Sequence, residues 1–62
     1  MDTIKFKING IVGHGILLSV PKTGDDVYEV RLTSDCGKFK AGKIVWVYPN
    51  EVLETTIDGI TI

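Results

Sequence analysis

This chain of 62 residues has one cysteine, one histidine and no excess of charge of either sign. The lone Cys36 cannot form an intramolecular disulfide, and one cysteine with one histidine cannot supply the four ligands of a structural zinc site. Seven basic residues against eight acidic ones leave a net charge of −1. A sequence-blind DNA-coating protein normally carries a large positive excess. The composition therefore predicts no metal, no cofactor, and a reducing compartment, the cytoplasm.

Long hydrophobic runs are also missing. A membrane-spanning helix needs roughly 20 apolar residues, and no run here approaches that length. The stretch from Ile4 to Ile8 is interrupted by Lys5 and Lys7, and no basic leader precedes it, so no signal peptide is expected. We therefore expect a soluble cytoplasmic protein that does not contact a membrane.

What the chain does have is an apolar fraction of 44%, enough to form a small core in one domain over residues 1–62. A chain of this size buries only about 60% of the surface that its unfolded form exposes. Alternating apolar residues separated by turn signals predict an all-β fold. The expected strands cover residues 4–8, 11–20, 27–33, 38–48, 54–57 and 60–62.

Short-range signals define the turns between these strands. Asn9-Gly10 favours a type I′ hairpin, and Asp58-Gly59 favours a second one near the C-terminus. Gly13 and Gly15 suit a bulge or bend in the second strand. The composition of residues 21–26 is that of a polar loop, and residues 34–37 read as a tight turn.

The segment from Lys43 to Glu54 contains a β-branched and aromatic run, a proline stop and a one-turn helical segment. Pro49 is expected to end the strand, and Asn50 to cap a short turn over residues 51–53. The predicted fold is thus a small five- to six-stranded β-barrel with one short helical turn near the C-terminus.

Several polar groups are more readily explained by structure than by chemistry. His14, between two glycines, lacks an identifiable partner for acid–base work and is interpreted as a surface or bend residue. Asp25-Asp26 with Glu29 or Asp35 lacks the regular spacing of a metal loop. The thiol of Cys36 has no neighbouring base and is interpreted as an inert turn residue. No catalytic residue is predicted.

Whether Trp46 faces the barrel interior or the solvent determines whether an aromatic binding surface exists. Alternation places Val45 and Val47 on one face and the aromatic residues on the other. If the aromatic residues filled the barrel, no exposed stripe would exist. Because valines fit a narrow barrel better, we expect Trp46 and Tyr48 at a contact surface. The apolar hairpin with Ile57, Ile60 and Ile62 adds to an expectation of self-association or partner binding.

Lysines accompany these aromatic residues. If the strands carrying Lys38, Lys40, Lys5 and Lys7 lie on one side, their ammonium groups would flank the aromatic rings, as in single-strand nucleic-acid binding. Alternatively, the lysines simply occupy wet strand positions and discourage aggregation. The residues predicted to bind a partner are Trp46, Tyr48, Tyr28, Lys38, Lys40 and Lys43.

The order of elements resembles that of small SH3-like barrel proteins, a class that includes KOW-type modules. The resemblance rests on the bent strand after Asn9-Gly10, the polar loop, the strand at residues 28–32, and the closure from Val45 through Pro49 to Leu53-Glu54. It covers most of the chain and implies a role in binding proteins or nucleic acids through loops and one aromatic face.

A narrower resemblance is to type II, plasmid-encoded dihydrofolate reductases, which are SH3-like tetramers with a Val-Gln-Ile-Tyr-Pro segment followed by Leu-Glu. This chain reads Val-Trp-Val-Tyr-Pro at residues 45–49, and Lys7 and Gly10 fall where that family has a lysine and a glycine. Trp46, however, stands where the family's glutamine binds cofactor and substrate, and its ring would obstruct a shared pore.

The sequence is therefore interpreted as a non-enzymatic binding module, with protein–protein contact as the leading function. Its size and standalone architecture favour an accessory protein of a phage or mobile element. The alternatives are a nucleic-acid-binding SH3-like barrel and, less favoured, a reductase-like homotetramer.

Overall fold

The computed structural model describes residues 2–21 and 26–61, and these form one antiparallel sheet of six strands in the order β4-β3-β2-β1-β5-β6. A single 3-10 turn, η1, lies between β4 and β5. The elements are β1 (Thr3–Ile8), β2 (Ile11–Ser19), β3 (Tyr28–Leu32), β4 (Ile44–Val47), η1 (Pro49–Glu51), β5 (Val52–Ile57) and β6 (Ile60–Thr61).

The predicted all-β class, the number of strands and the short helical turn near the C-terminus are confirmed. Within the described residues the strands form a sheet with two edges, β4 and β6, instead of a closed ring. This one sheet nevertheless supplies every buried apolar side chain of the core cluster except Cys36. It must therefore curl around its own inner face, and register shifts between Lys5 and Phe6 and between Leu17 and Ser19 mark where pairing is irregular.

The buried apolar side chains come from β1, β3 and β4, with one from the loop between β3 and β4. Phe6, Val30 and Val47 are fully buried, and Ile4, Leu32, Cys36 and Val45 complete the buried cluster. In β1 the buried residues alternate with exposed lysines, as the period of two predicts. Thr55 in β5 is also buried, opposite Ile4 in the ladder.

Both glycine-containing hairpins adopt the backbone that their sequences predict. Asn9 and Gly10 have φ angles of 50° and 79°, and Asp58 and Gly59 have 52° and 80°. Positive φ at both central residues is the signature of a type I′ turn, whose twist matches that of the flanking strands. These local predictions are confirmed.

Other boundaries differ from the prediction. The strand expected over residues 38–48 is limited to Ile44–Val47, because Gly37 and Lys38 form a turn closed by a bridge between Cys36 and Phe39. The helical turn comprises Pro49–Glu51, with Tyr48 and not Asn50 as its cap. Most of the polar loop predicted at 21–26 lies outside the described residues, as do Asp25 and Ile62. No helix in the described part of the chain is long and apolar enough to cross a membrane.

Candidate functional site

The faces of β4 are assigned by burial. Val45 and Val47 are 8% and 0% exposed, whereas Trp46 is 67% exposed and Tyr48, just after the strand, is 58% exposed. The prediction that the valines fill the interior and the aromatic residues face outward is confirmed. Ile44, on the same side as Trp46, is 52% exposed, so β4 and the residue after it present three large, mainly apolar side chains to solvent.

These side chains border a groove of about 480 Å³, here called the edge groove. Four elements contribute to it: the end of β1, the loop between β3 and β4, β4 itself, and η1. Its lining residues are Ile8, Phe39, Lys43, Ile44, Val45, Trp46, Tyr48 and Glu51. The surface is thus mainly apolar, with one ammonium group and one carboxylate among its lining residues.

Phe39 belongs to this site although the sequence analysis did not single it out. The residue is half-buried against the core, and its ring lies under two cations. The Lys38 and Lys43 ammonium nitrogens are 5.6 and 5.7 Å from the ring centroid, within the range of cation–π attraction. Both lysines are therefore held near the edge groove by the same aromatic ring.

Tyr48 is positioned by its backbone. Its N–H donates to Glu51 Oε1 at 2.9 Å, and the Glu51 N–H donates to the Tyr48 carbonyl oxygen at 2.9 Å. The side-chain contact is the Glu51 half of a capping box, whereas the contact to the Tyr48 carbonyl oxygen is the i→i+3 hydrogen bond of the 3-10 turn. The chain direction after β4 is fixed in this way, and the Tyr48 ring remains at the groove.

Two predicted site residues are not brought to this surface. Tyr28 pairs with Val47 in the ladder and packs, half-buried, against the core, so it shares the inner face and not that of Trp46. Lys40 is in the loop, where its Nζ lies 3.6 Å from Asp35 Oδ2. Both partners are largely exposed, so solvent screens this ion pair. The residues that the structure gathers are Trp46, Tyr48, Lys43 and, through Phe39, Lys38.

The lysines of β1 also lie apart from Trp46. Lys5 is on the outer face, opposite His14 on one side and Glu54 on the other. These three residues, with threonines at positions 3, 33 and 56, are among those lining a separate concavity of about 450 Å³. Four or five ammonium groups are therefore not gathered around the aromatic rings, and Lys5 occupies an exposed strand position, as in the alternative interpretation of the lysines.

The remaining candidate residues, Cys36 and His14, have contacts typical of a structural role. Cys36 is 3% exposed within the core cluster. His14 is exposed on β2, and its backbone carbonyl oxygen accepts from both the N–H and the hydroxyl of Thr33. Within residues 2–21 and 26–61, no group of three or more His, Cys, Asp or Glu side chains is arranged to hold a metal ion.

Comparison of the chain with protein-family models, with curated proteins and with solved structures found no match. Trp46 is exposed on the outer side of β4, a terminal strand of the described sheet.

Proposed function

We propose that this chain is a non-enzymatic binding module that contacts a protein partner through Trp46, Tyr48 and the edge groove. The observation that carries the proposal is the exposure of Trp46 beside a groove of mainly apolar lining. Contiguous exposed apolar surface on a small protein usually marks an interaction site. Tryptophan and tyrosine are also enriched among the residues that dominate binding energy.

The charges at this surface support a protein partner more than a nucleic acid. Glu51 lines the groove together with Lys43, and Glu29 lies directly beside Trp46 in the ladder. A phosphate backbone would be repelled by both carboxylates. A protein surface can instead match cations and anions together, which provides specificity.

The proposed setting of this module is the cytoplasm, consistent with a single buried thiol and no disulfide in the described residues. Its proposed relationship to SH3-like barrels is supported by one antiparallel sheet in which β5 returns to pair with β1 after a short helical turn. In such barrels, binding through loops and an aromatic face would be expected.

The test compares Trp46→Ala with a matched control, Ile60→Ala. Both side chains are 67% exposed, but Ile60 lies on β6 at the opposite edge of the sheet. Immobilised protein is exposed to a candidate host lysate with nuclease at moderate salt, and bound proteins are identified by mass spectrometry. We expect a specific protein to be retained by the parent and the Ile60 variant, and lost with Trp46→Ala.

Truncating an interface anchor costs about 2 kcal/mol or more, roughly a thirtyfold loss of affinity. Removing an exposed side chain should change the free energy of unfolding by only about 0.5 kcal/mol. Affinity for the captured protein should therefore fall while the melting temperature is nearly unchanged. Equal capture by both variants would overturn the proposal.

A nucleic-acid-binding function is the second candidate, favoured by the two lysines stacked on Phe39. Aromatic rings that stack bases beside cations that contact phosphates are the basis of single-strand binding. That function predicts capture abolished by nuclease and an affinity that falls steeply with salt. Lys38→Ala and Lys43→Ala should each reduce the salt slope by about one.

A further inference from the structure

The backbone of β4 is available for pairing on one side. β4 is the terminal strand of the sheet, hydrogen-bonded only to β3 among the described strands. Leu32 N–H donates to the Lys43 carbonyl oxygen at 2.9 Å, and the register continues with Val30 opposite Val45. Hydrogen-bonded pairs alternate along an antiparallel ladder. Ile44 and Trp46 therefore direct their N–H and C=O groups away from β3.

This open edge has defined ends. Beyond Trp46, the N–H and C=O of Tyr48 are both engaged by Glu51. Before Ile44, the Gly42 N–H donates to the Leu32 carbonyl oxygen at 2.8 Å, and the Lys43 carbonyl oxygen is also used by Leu32. The edge therefore offers two donors and two acceptors, all from Ile44 and Trp46.

We propose that a second copy of this chain occupies the edge, with the two β4 strands antiparallel about a two-fold axis at Val45. In that register Ile44 of each copy faces Trp46 of the other, and all four open donors and acceptors are paired. A shift by two residues would place in the pairing either Tyr48, whose N–H and C=O are both engaged, or Gly42, whose N–H is engaged. Only one register is thus fully satisfied, as a self-complementary two-fold contact requires.

Side chains and charges fit the same arrangement. Opposed residues in an antiparallel pair share one face of the sheet, so each Trp46 ring would pack on the other copy's Ile44. Both side chains are more than half exposed in the single chain. Lys43 precedes β4, Glu51 follows it in η1, and both line the groove. The antiparallel two-fold axis places the Lys43 end of each strand beside the Glu51 end of the other, so opposite charges approach each other twice.

The inference rests on the proposed function, because pairing would set two Trp46 faces side by side on one continuous sheet for a partner to contact. The two claims nevertheless fail separately. Self-association is measured on the purified chain alone, whereas partner binding is measured with the captured protein. A chain that stays monomeric but still binds its partner through Trp46 overturns the inference and leaves the proposed function intact.

The first test is a charge exchange followed by sedimentation equilibrium. We expect the parent chain to dimerise, and Lys43→Glu or Glu51→Lys alone to weaken the dimer roughly tenfold or more, because like charges then face each other. The double variant Lys43→Glu/Glu51→Lys should regain most of the affinity. Mixing the two single variants should produce a heterodimer at low salt.

Glu51 also caps η1, so Glu51→Gln is the control. It keeps the oxygen that accepts from Tyr48 N–H but removes the charge. This variant should dimerise more weakly than the parent with little change in melting temperature. If the double variant stays as weak as the single ones while remaining folded, the proposed pairing is wrong.

Backbone hydrogen exchange provides a second readout that does not depend on mutation. The amide hydrogens of Ile44 and Trp46 should exchange rapidly in dilute solution and become protected as protein concentration rises. The Val45 amide, directed toward β3, should be protected throughout. Amides of Ile44 and Trp46 that exchange equally fast in monomer and dimer would overturn pairing through β4.

Discussion

Gly13 and Gly15 are required by packing at the scale of single residues. A Cβ atom on Gly13 would lie 2.7 Å from the Phe6 ring and 2.9 Å from Cys36 Sγ. On Gly15 it would collide with a Val30 methyl group and lie 2.7 Å from the Arg31 carbonyl oxygen. The core therefore reaches the backbone of β2 itself, and the irregularity of β2 lies further along, between Leu17 and Ser19.

Gly15→Ala should consequently destabilise the fold. Overpacking of a filled core costs about 1–3 kcal/mol, and here part of the obstacle is backbone that cannot move aside. For a domain of this size, each kcal/mol lowers the melting temperature by roughly 4–8 °C. His14→Ala, which changes an exposed residue between the two glycines, should have little effect on thermal unfolding. An unaltered Gly15→Ala melting curve would contradict this packing.

Gly10 is required for its backbone conformation and not for packing. A chemically synthesised chain carrying L- or D-alanine can distinguish these two reasons. Nothing lies within 4 Å of a Cβ built on Gly10, but its φ of +79° disfavours L-residues. L-alanine at position 10 should therefore cost about 1–2 kcal/mol, whereas D-alanine should be neutral or stabilising. At position 15 neither enantiomer should be tolerated better than glycine.

At the scale of elements, the loop between β3 and β4 is organised by Asp35. Its Oδ1 accepts from the Ala41 N–H at 2.8 Å, and its Oδ2 lies 3.6 Å from Lys40 Nζ. The first contact is a hydrogen bond to backbone and the second an exposed ion pair. Because exposed pairs contribute little, the backbone contact should hold the loop that carries Phe39.

Asp35→Ala should therefore lower stability by about 1 kcal/mol, the usual value of one hydrogen bond. Asp35→Asn keeps an oxygen acceptor without the charge and should remain close to the parent, as should Lys40→Ala. Chemical denaturation of the three variants checks this order. A Lys40→Ala loss equal to that of Asp35→Ala would show that the ion pair, not the backbone contact, holds the loop.

Features carried by neighbouring residues could be predicted from the sequence, and features that depend on distant strands could not. The Asn9-Gly10 turn and the inward valines of β4 follow from local chemistry and from a period of two. The lack of space for a side chain at Gly15, by contrast, is caused by the packing of β3 against it. Phe39 was missed because the turn at residues 37–38 breaks the strand period around it. Its role appears only when β4 and β1 meet at one groove.

At the scale of the whole molecule, β1 holds the sheet together, because it pairs with β2 on one side and β5 on the other. Removing residues 52–62 should expose one side of β1 and abolish cooperative unfolding. Removing only residues 58–62 deletes β6 and the Asp58 N–H that donates to Asp2 Oδ1 at 3.1 Å. That shorter truncation should retain a cooperative transition by circular dichroism, at a lower temperature.

The central position of β1 also bears on how the chain folds during synthesis. A ribosome adds about 5–20 residues per second from the N-terminus, so β1 and β2 are made first and can form their hairpin early. The other neighbour of β1 begins only at Val52. Until β5 has been translated, one side of β1 has no strand to pair with, and its backbone is exposed to chaperones or to neighbouring nascent chains. The native sheet can therefore be completed only after β5 and β6 have been made.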